Sequence, residues 1–331
     1  MAFANAAISD IIATTIQSRT KKIADNVTNN NAILKKMSSK GRIKTVSGGY
    51  KIMQEISFAE NSNAGYYSGY DLLPVGVSDV ISAAEFDLKQ AAVPVVISGL
   101  EQLQNSGKEQ MIDLLESRMQ VAESSMANLL TGGIYSDGTG AGGKQVTGLE
   151  AAIPVDPTTG TYGGIDSATW TFWRNAVSDQ TAADGLDPTK IQGYWNLLWS
   201  QLVRGQDRPD LIMADGTVWN AYIASLQAQQ RFTNTNSGDA GFMSVKFMDA
   251  DVCLDGGIYN GNLGTGAPSG TAFFLNTDYL HWRPHADRNM VPLSPNRRYS
   301  VNQDAETQIL AWAGNLTCSG RQFQGRYDAN G

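Results

Sequence analysis

Apolar residues in the first stretch of the chain recur at Ile8, Ile12, Ile16, Ile23 and Val27, a helical spacing that the run Asn29, Asn30, Asn31 brings to an end. Ile33, Leu34 and Met37 then predict one or two further helical turns. From residue 42 to 58 the period changes to two. Tyr50, Ile52, Ile56 and Phe58 share one parity, with Lys51, Glu55 and Ser57 on the other, which is the alternation of a strand with one covered face. Residues 80–97 place Ala84, Phe86 and Leu88 against Glu85, Asp87 and Lys89 before Pro94 interrupts regular pairing, so 42–98 reads as one long hairpin ribbon. Its tip, 61–77, is rich in Gly and Asn but also carries Tyr66, Tyr67, Tyr70, Leu72, Leu73 and Val75. A two-stranded ribbon is marginal in water, so one with an apolar tip needs a surface to lie on, in its own chain or in another copy. Phe58, Tyr66, Tyr67, Tyr70, Leu72 and Leu73 are the expected contact residues.

Downstream, Asn105 or Ser106 can cap a helix over 105–131 whose apolar positions Leu115, Met119, Ala122, Met126 and Leu129 step by four and three up to Gly132 and Gly133. Such a rod is roughly 38 Å long and should buttress a sheet or ribbon. Asp187 followed by Pro188 starts a helix with Ile191, Trp195, Leu198 and Leu202 on one face. A short strand over 211–214 precedes a helix capped by Asp215 or Thr217 and running to 226. Strands are expected over 242–252 and 271–282, separated by a Gly-rich loop, and one or two closing strands over 306–327. Locally paired strands with helices set on one side make the class α+β.

With 331 residues, 42% hydrophobic and 17% charged, the chain can bury a sizeable core and has room for about two domains. Cys253 and Cys318 form neither a disulfide framework nor a paired zinc spacing, which suits a reducing compartment. No leader pattern occupies the first ten residues and no apolar run is long enough to span a bilayer, so neither export nor membrane insertion is expected. The net charge of -7 argues against a chain that works mainly by wrapping nucleic acid, but the charge is uneven. Arg19, Lys21, Lys22, Lys35, Lys36, Lys40, Arg42 and Lys44 face the single acid Asp25, a local +7 that leaves -14 for all other residues. A basic arm over 1–41 can be a solvated face, hold a polyanion or hold the acidic body of a neighbouring copy, and Arg19, Lys21, Lys22, Lys35, Lys36 and Lys40 are its expected contacts.

Chemistry is harder to find. The run from Gly138 through Lys144 approaches a phosphate-binding loop, but Gln145 stands where Ser or Thr should reach magnesium and a helix precedes it instead of a strand. It reads as a sharp, flexible connection. His281 and His285 are separated by Arg283 and Pro284, which spoils a shared metal site and makes ordinary surface histidines the expectation. Asp249, Asp251 and Asp255 imitate a calcium loop, yet Cys253 and Asn260 occupy ligand positions. No nucleophile elbow occurs and neither cysteine sits in a catalytic signature. Trp170, Trp173, Trp195 and Trp199 can line a sugar cleft, although such spacing more often reflects core packing. No catalytic residue, cofactor or metal is expected.

An arm, a ribbon with an apolar tip, a long helix, a glycine-rich turn and an α+β body follow one another in this order. That order resembles the major capsid proteins of tailed bacteriophages over nearly the whole chain. The most specific piece is Asn128, Leu129, Leu130, Thr131, Gly132, Gly133, leading through Asp137, Gly138, Thr139, Gly140 to Val146, Thr147, Gly148, Leu149. It is similar to the family's passage where the spine helix ends in a Leu-rich, Gly-punctuated run. The resemblance implies a phage major-capsid (Hong Kong 97-like) fold: an amino-terminal arm 1–41, an extended loop 42–98, a peripheral domain 99–186 with spine helix 105–131, an axial domain 187–302 and return strands 303–331. It implies a non-enzymatic coat subunit, assembled in the host cytoplasm as hexamers and pentamers of an icosahedral virion shell. The implied partners are packaged double-stranded DNA, held non-specifically, and scaffolding, portal and decoration proteins. Some members carry a long scaffolding extension; about 40 residues precede the ribbon here, so scaffolding is expected from a separate protein or a removed piece. An encapsulin-like cargo compartment and an intracellular glycoside hydrolase are the alternatives.

Overall fold

Helix α1 (Ala32–Ser39) folds onto the body because Ile33 and Met37, four apart, share one face, and both are completely buried. Gly41 ends it with φ +66, while its amide reaches the Ser38 carbonyl and that of Arg42 reaches Met37, the paired bonds of a left-handed glycine cap. The computed structural model describes residues 32–73, 75–104, 114–227, 244–255, 266–293, 298–299 and 305–331. The helical pattern over 8–27 and the caps Asn105 and Ser106 lie outside these residues.

The ribbon consists of β1 (Lys51–Ser57) and β2 (Ile81–Asp87), antiparallel in the register Ile52 opposite Phe86 and Ile56 opposite Ser82. The alternation decides its faces: Ile52, Ile56, Ala84 and Phe86 are buried, and the other parity is mostly exposed. The expected single long hairpin is shorter than 42–98, because β3 (Lys89–Ser98) leaves the ribbon and pairs with a strand more than 200 residues later. Its near-continuous Ala and Val run suits a sheet packed on by a helix, and Pro94 is tolerated because β3 pairs on one side alone.

The long helix α2 (Leu114–Tyr135) passes through Gly132 and Gly133 where a stop was expected. These glycines serve close packing instead. A Cβ on Gly133 would lie 3.2 Å from Val146 Cβ, and one on Gly148 would lie 2.4 Å from the carbonyl oxygens of Gly133 and Ile134. The chain returning after the helix is therefore seated directly on the helix backbone. A small hairpin, β4 (Thr161–Tyr162) and β5 (Ile165–Asp166), turns through Gly163 and Gly164, both at positive φ. It lies beneath the ribbon, with the Gly163 carbonyl accepting from the Glu85 amide and the Tyr162 ring 5.1 Å from that of Phe86.

The remaining strands are β6 (Ala176–Asp179), β7 (Leu211–Ala214), β8 (Ser244–Phe247), β9 (Ala250–Leu254), β10 (Thr271–Leu275), β11 (Leu280–Pro284), β12 (Val291–Pro292), β13 (Arg298–Tyr299), β14 (Ala305–Cys318) and β15 (Gly325–Asp328). Helices α3 (Ile191–Leu202) and α4 (Gly216–Gln227) flank β7 in sequence, α3 with the expected Ile191, Trp195, Leu198 and Leu202 buried. One sheet has the order β6-β15-β10-β7-β9-β8, with β6–β15 and β7–β9 parallel. Both its faces are covered: Ile212, Val252 and Phe274 enter the core beneath α3 and α4, while Leu211, Met213, Cys253 and Phe273 enter the core shared with α1, α2 and the ribbon. In the former, Trp195 stacks on Tyr222 at 4.6 Å and meets Phe247 and Phe274 edge-on. The second sheet is built on β14, with β3 on one side and β11, β12 and β13 along the other.

Two expected strands are each broken. Residues 244–254 fold back on themselves at Met248, φ +51, and 271–284 divide at Asn276, whose side chain caps a tight turn and sends β10 and β11 into different sheets. Sheet membership therefore does not follow the order of the chain. β11 joins the β14 sheet, while β6 and β15 join the sheet of β7.

Two buried polar side chains tie these layers together. Arg321, 1% exposed, donates to the Ala152 carbonyl and to Ser167 Oγ, with its guanidinium over the Tyr162 ring. Asn315 accepts from the Thr147 amide and donates to the Asp87 carbonyl at the foot of the ribbon.

Candidate functional site

The ribbon's covered face is fixed from below and its tip projects. At the tip, Asn63 donates to the Gly76 carbonyl at 2.7 Å, and Asp71 and Ser68 bond to each other, so polar residues close the loop on itself. Tyr66, Tyr70, Leu72, Val75 and Val77 are fully exposed; Tyr67 and Leu73 remain 69% and 56% exposed. Three tyrosines at roughly 150–250 Å² each already match the largest apolar patch usual on a monomer. Phe58 does not share this position. Its half-buried ring packs against Trp170 and Phe172 at 6.0 and 5.9 Å, at the end of β1 that leads into the tip, so part of the surface expected to face outward is used within the chain. Beside this cluster a cavity of about 350 Å³ is lined by Ile56, Phe172, Trp173, Arg204, Tyr279 and Phe323.

The basic arm is also redirected. Lys36 is buried with its ammonium 3.3 Å from Asp251, and Lys40 lies 3.0 Å from Asp210 and 3.4 Å from Asp278. Lys36 and Lys40 are therefore held by acids of their own chain, with Arg42 joining Asp278 at 2.8 Å. Helix geometry explains Lys36: it stands three and four positions after Ile33 and Ala32, on the face that docks. Lys35 is exposed, and Arg19, Lys21 and Lys22 lie outside the described residues.

The aspartates that imitate a calcium loop go to separate partners: Asp249 to Arg208, Asp251 to Lys36 and Asp255 to the Tyr135 hydroxyl at 2.5 Å. Among the described residues no group of three or more His, Cys, Asp or Glu is arranged to hold a metal ion, and no helix is long and apolar enough to cross a membrane. In the Gly138–Lys144 run, Ala141 and Gly142 adopt positive φ, and the Gly143 carbonyl accepts from Lys89 Nζ. The tryptophans do not converge on one cleft: Trp195 and Trp199 belong to the core under α3 and α4, Trp170 and Trp173 to the seat of the ribbon. His281 is 5% exposed, which corrects the expectation of a surface histidine.

Half-buried Asp255 and buried His281 pull stability in opposite directions. Burial pushes Asp255 up to about 6 despite the Tyr135 hydrogen bond. Burial, followed by the cations Arg283, Lys44 and Arg42, pushes His281 down to about 4 against the opposing effect of Asp278. The folded chain thus holds the Asp255 proton more tightly than the unfolded chain, and this contribution is lost as pH rises from about 4 to about 6. The reverse holds for His281, whose contribution is lost as pH falls from about 6.5 to about 4. Each is worth on the order of 1–2 kcal/mol after solvent screening. Asp255→Asn, which keeps an acceptor for Tyr135, should make urea stability fall more steeply between pH 6 and 4.5, and His281→Gln should make it rise. Parallel profiles for wild type and both variants would contradict this assignment.

Neither a protein-family model nor a curated protein matches the sequence. Solved structures do. A chain of the cyanophage A-1(L) capsid asymmetric unit aligns over 93% of this chain and 95% of its own length, with a TM-score of 0.70 at 14% identity. The fold is that of the phage major capsid proteins. The same major-capsid fold relates the chain to the capsid of a native GTA particle, at a TM-score of 0.61 and 11% identity over 91% of both chains. It also relates the chain to the holo-SrpI encapsulin complex of Synechococcus elongatus PCC 7942, at 0.55 and 8% identity over 100% of this chain and 96% of the other. Several residues that hold this major-capsid fold together here carried no sequence signal. Asn315 and Arg321 are single polar residues whose partners lie more than 140 positions away.

Proposed function

We propose that the chain is a coat subunit that self-assembles, without enzymatic activity, into an icosahedral shell of hexamers and pentamers around double-stranded DNA. The observation that carries this reading is the exposed apolar tip, with Tyr66, Tyr70, Leu72, Val75 and Val77, on a ribbon whose other face is seated in a capsid fold. A closed shell needs one surface to meet a different surface on the next copy, and a projecting ribbon supplies such a head-to-tail contact. In this reading the six-stranded sheet with α3 and α4 is the axial domain, and the β14 sheet with α2 is the peripheral domain. Arg19, Lys21, Lys22 and Lys35 are the arm's contacts to DNA or to a neighbour. Scaffolding, portal and decoration proteins are the further partners of a virion assembled in the host cytoplasm. A cargo compartment is the second reading, favoured by the encapsulin similarity along the full chain.

Because each contact is small, association should be cooperative. Analytical ultracentrifugation is expected to show monomers or small rings when dilute and large particles above a threshold concentration or with scaffold, visible as shells by electron microscopy. A two-fold dimer that never grows would overturn the shell reading. Nuclease-protected DNA inside the particles supports the coat reading, and a bound cargo peptide in its place supports the compartment.

A further inference from the structure

After α1 the chain runs along the edge of β11 as a strap. Ile43 pairs in parallel with Trp282 and Val46 with His285, through bonds from the Lys44 amide to the Trp282 carbonyl and from the Trp282 amide to the Arg42 carbonyl. Side chains alternate across a sheet, so the strap shares its faces with β11. Trp282 points into the core and stacks on Trp312 at 5.0 Å. Arg42 and Lys44 therefore stand on the other face, together with His281 and Arg283.

This face is rich in cations and poor in acids. Three permanent positive charges surround His281, and Asp278 is already held by Arg42 and Lys40. Arg283 spends one guanidinium nitrogen on Gln54 Oε1 at 2.7 Å. The inner edges of these side chains are unmatched. Among the described residues, seven buried side-chain nitrogen or oxygen atoms lack a hydrogen-bond partner, and three of the seven are Arg42 Nε, His281 Nδ1 and Arg283 Nε. Buried donors left unpaired are costly, and here they cluster where charge also calls for an anion. Two guanidinium edges, an imidazole nitrogen and an ammonium on adjacent positions of one sheet face favour an anion whose several oxygens point in different directions. A tetrahedral oxyanion supplies them.

We propose that Arg42, Lys44, His281 and Arg283 form a binding site for a phosphate group. The phosphate comes either from solution or from the backbone of a nucleic acid, and the site stands whether or not the chain builds a shell. Lys44, which is exposed, marks the entrance, and Arg283 and His281 form the floor.

Inorganic phosphate is the probe, titrated by calorimetry into the full chain and into Lys44→Gln and Arg283→Gln, with circular dichroism confirming that all three fold. Each variant is expected to weaken phosphate binding about tenfold, since a charge-assisted hydrogen bond is lost. In wild type, phosphate should raise the pH at which the His281 ring titrates in NMR spectra, a response that a merely structural cluster would not give. Competition with a duplex oligonucleotide separates the sources. If inorganic phosphate displaces DNA, and each variant lowers the salt dependence of DNA binding by about one ion, the site takes the nucleic-acid backbone. If DNA binding is the same in all three proteins while phosphate binding drops, the source is free phosphate. No phosphate binding by wild type at about 10 mM, or binding unchanged in both variants, overturns the proposal.

Discussion

Replacing Tyr67 and Leu72 together by Asp is expected to give a folded chain that no longer assembles. Both side chains are largely exposed, 69% and 98%, so the substitutions should leave the monomer's stability within about 0.5 kcal/mol of wild type. Their burial against a neighbour would contribute roughly 1.5–3 kcal/mol each, and a carboxylate in the same contact adds a desolvation cost. The threshold concentration should rise by at least two to four orders of magnitude, about tenfold per 1.4 kcal/mol, enough to remove particles from micrographs. Shells of normal stability from the double variant would show that the tip is not the contact. The Phe58→Ala variant should behave differently, losing monomer stability first, because that ring packs on Trp170 and Phe172.

The second large effect concerns the exit from α2. In Gly148→Ala the new methyl carbon would lie 2.4 Å from two backbone carbonyl oxygens, those of Gly133 and Ile134, and neither can rotate away. Moving the returning chain off the helix would also disturb the Thr147 amide's bond to Asn315. A loss of about 3 kcal/mol or more is expected, the upper range of overpacking, read as a fall in the denaturant midpoint or as insoluble protein. Gly193→Ala is the matched control. Gly193 lies exposed within α3 with nothing within 4 Å of an added Cβ, so the same substitution should raise stability by about 0.5–1 kcal/mol. Equal effects at the two positions would contradict the packing account of Gly148.

What could be read from the sequence was what local period and local capping encode. The parity of Ile52 and Ile56 identified the covered ribbon face, and Leu211–Ala214, an unbroken apolar run, gave a strand buried on both sides. Asn276 at the head of Thr277 and Asp278 carried a cap signal that the surrounding apolar residues obscured. The assignment of strands to sheets was invisible, because β10 and β11 are neighbours in sequence and belong to different layers. At the candidate surfaces, composition left open whether the apolar tip lies on its own chain or on another copy, and its exposure in this chain came from the structure. Lys36 read as an outward contact, but it is buried beside Asp251, while Lys40 stays exposed next to Asp210, pairings that sequence distance hid.

The placement of β14 and β15 has a consequence for biosynthesis. β14 is the middle of one sheet and β15 lies between β6 and β10 in the other, so residues 305–328 supply an inner strand to both layers. A ribosome that has made everything up to β13 holds a chain in which β3 and β11 have no strand to share and β6 has no neighbour. Neither layer can close until the last strand is translated, and the long sequence separation of these pairings makes the closing step slow. A chain that stops before β14 is consequently left with open sheet edges in both layers, the kind of edge that pairs with other chains.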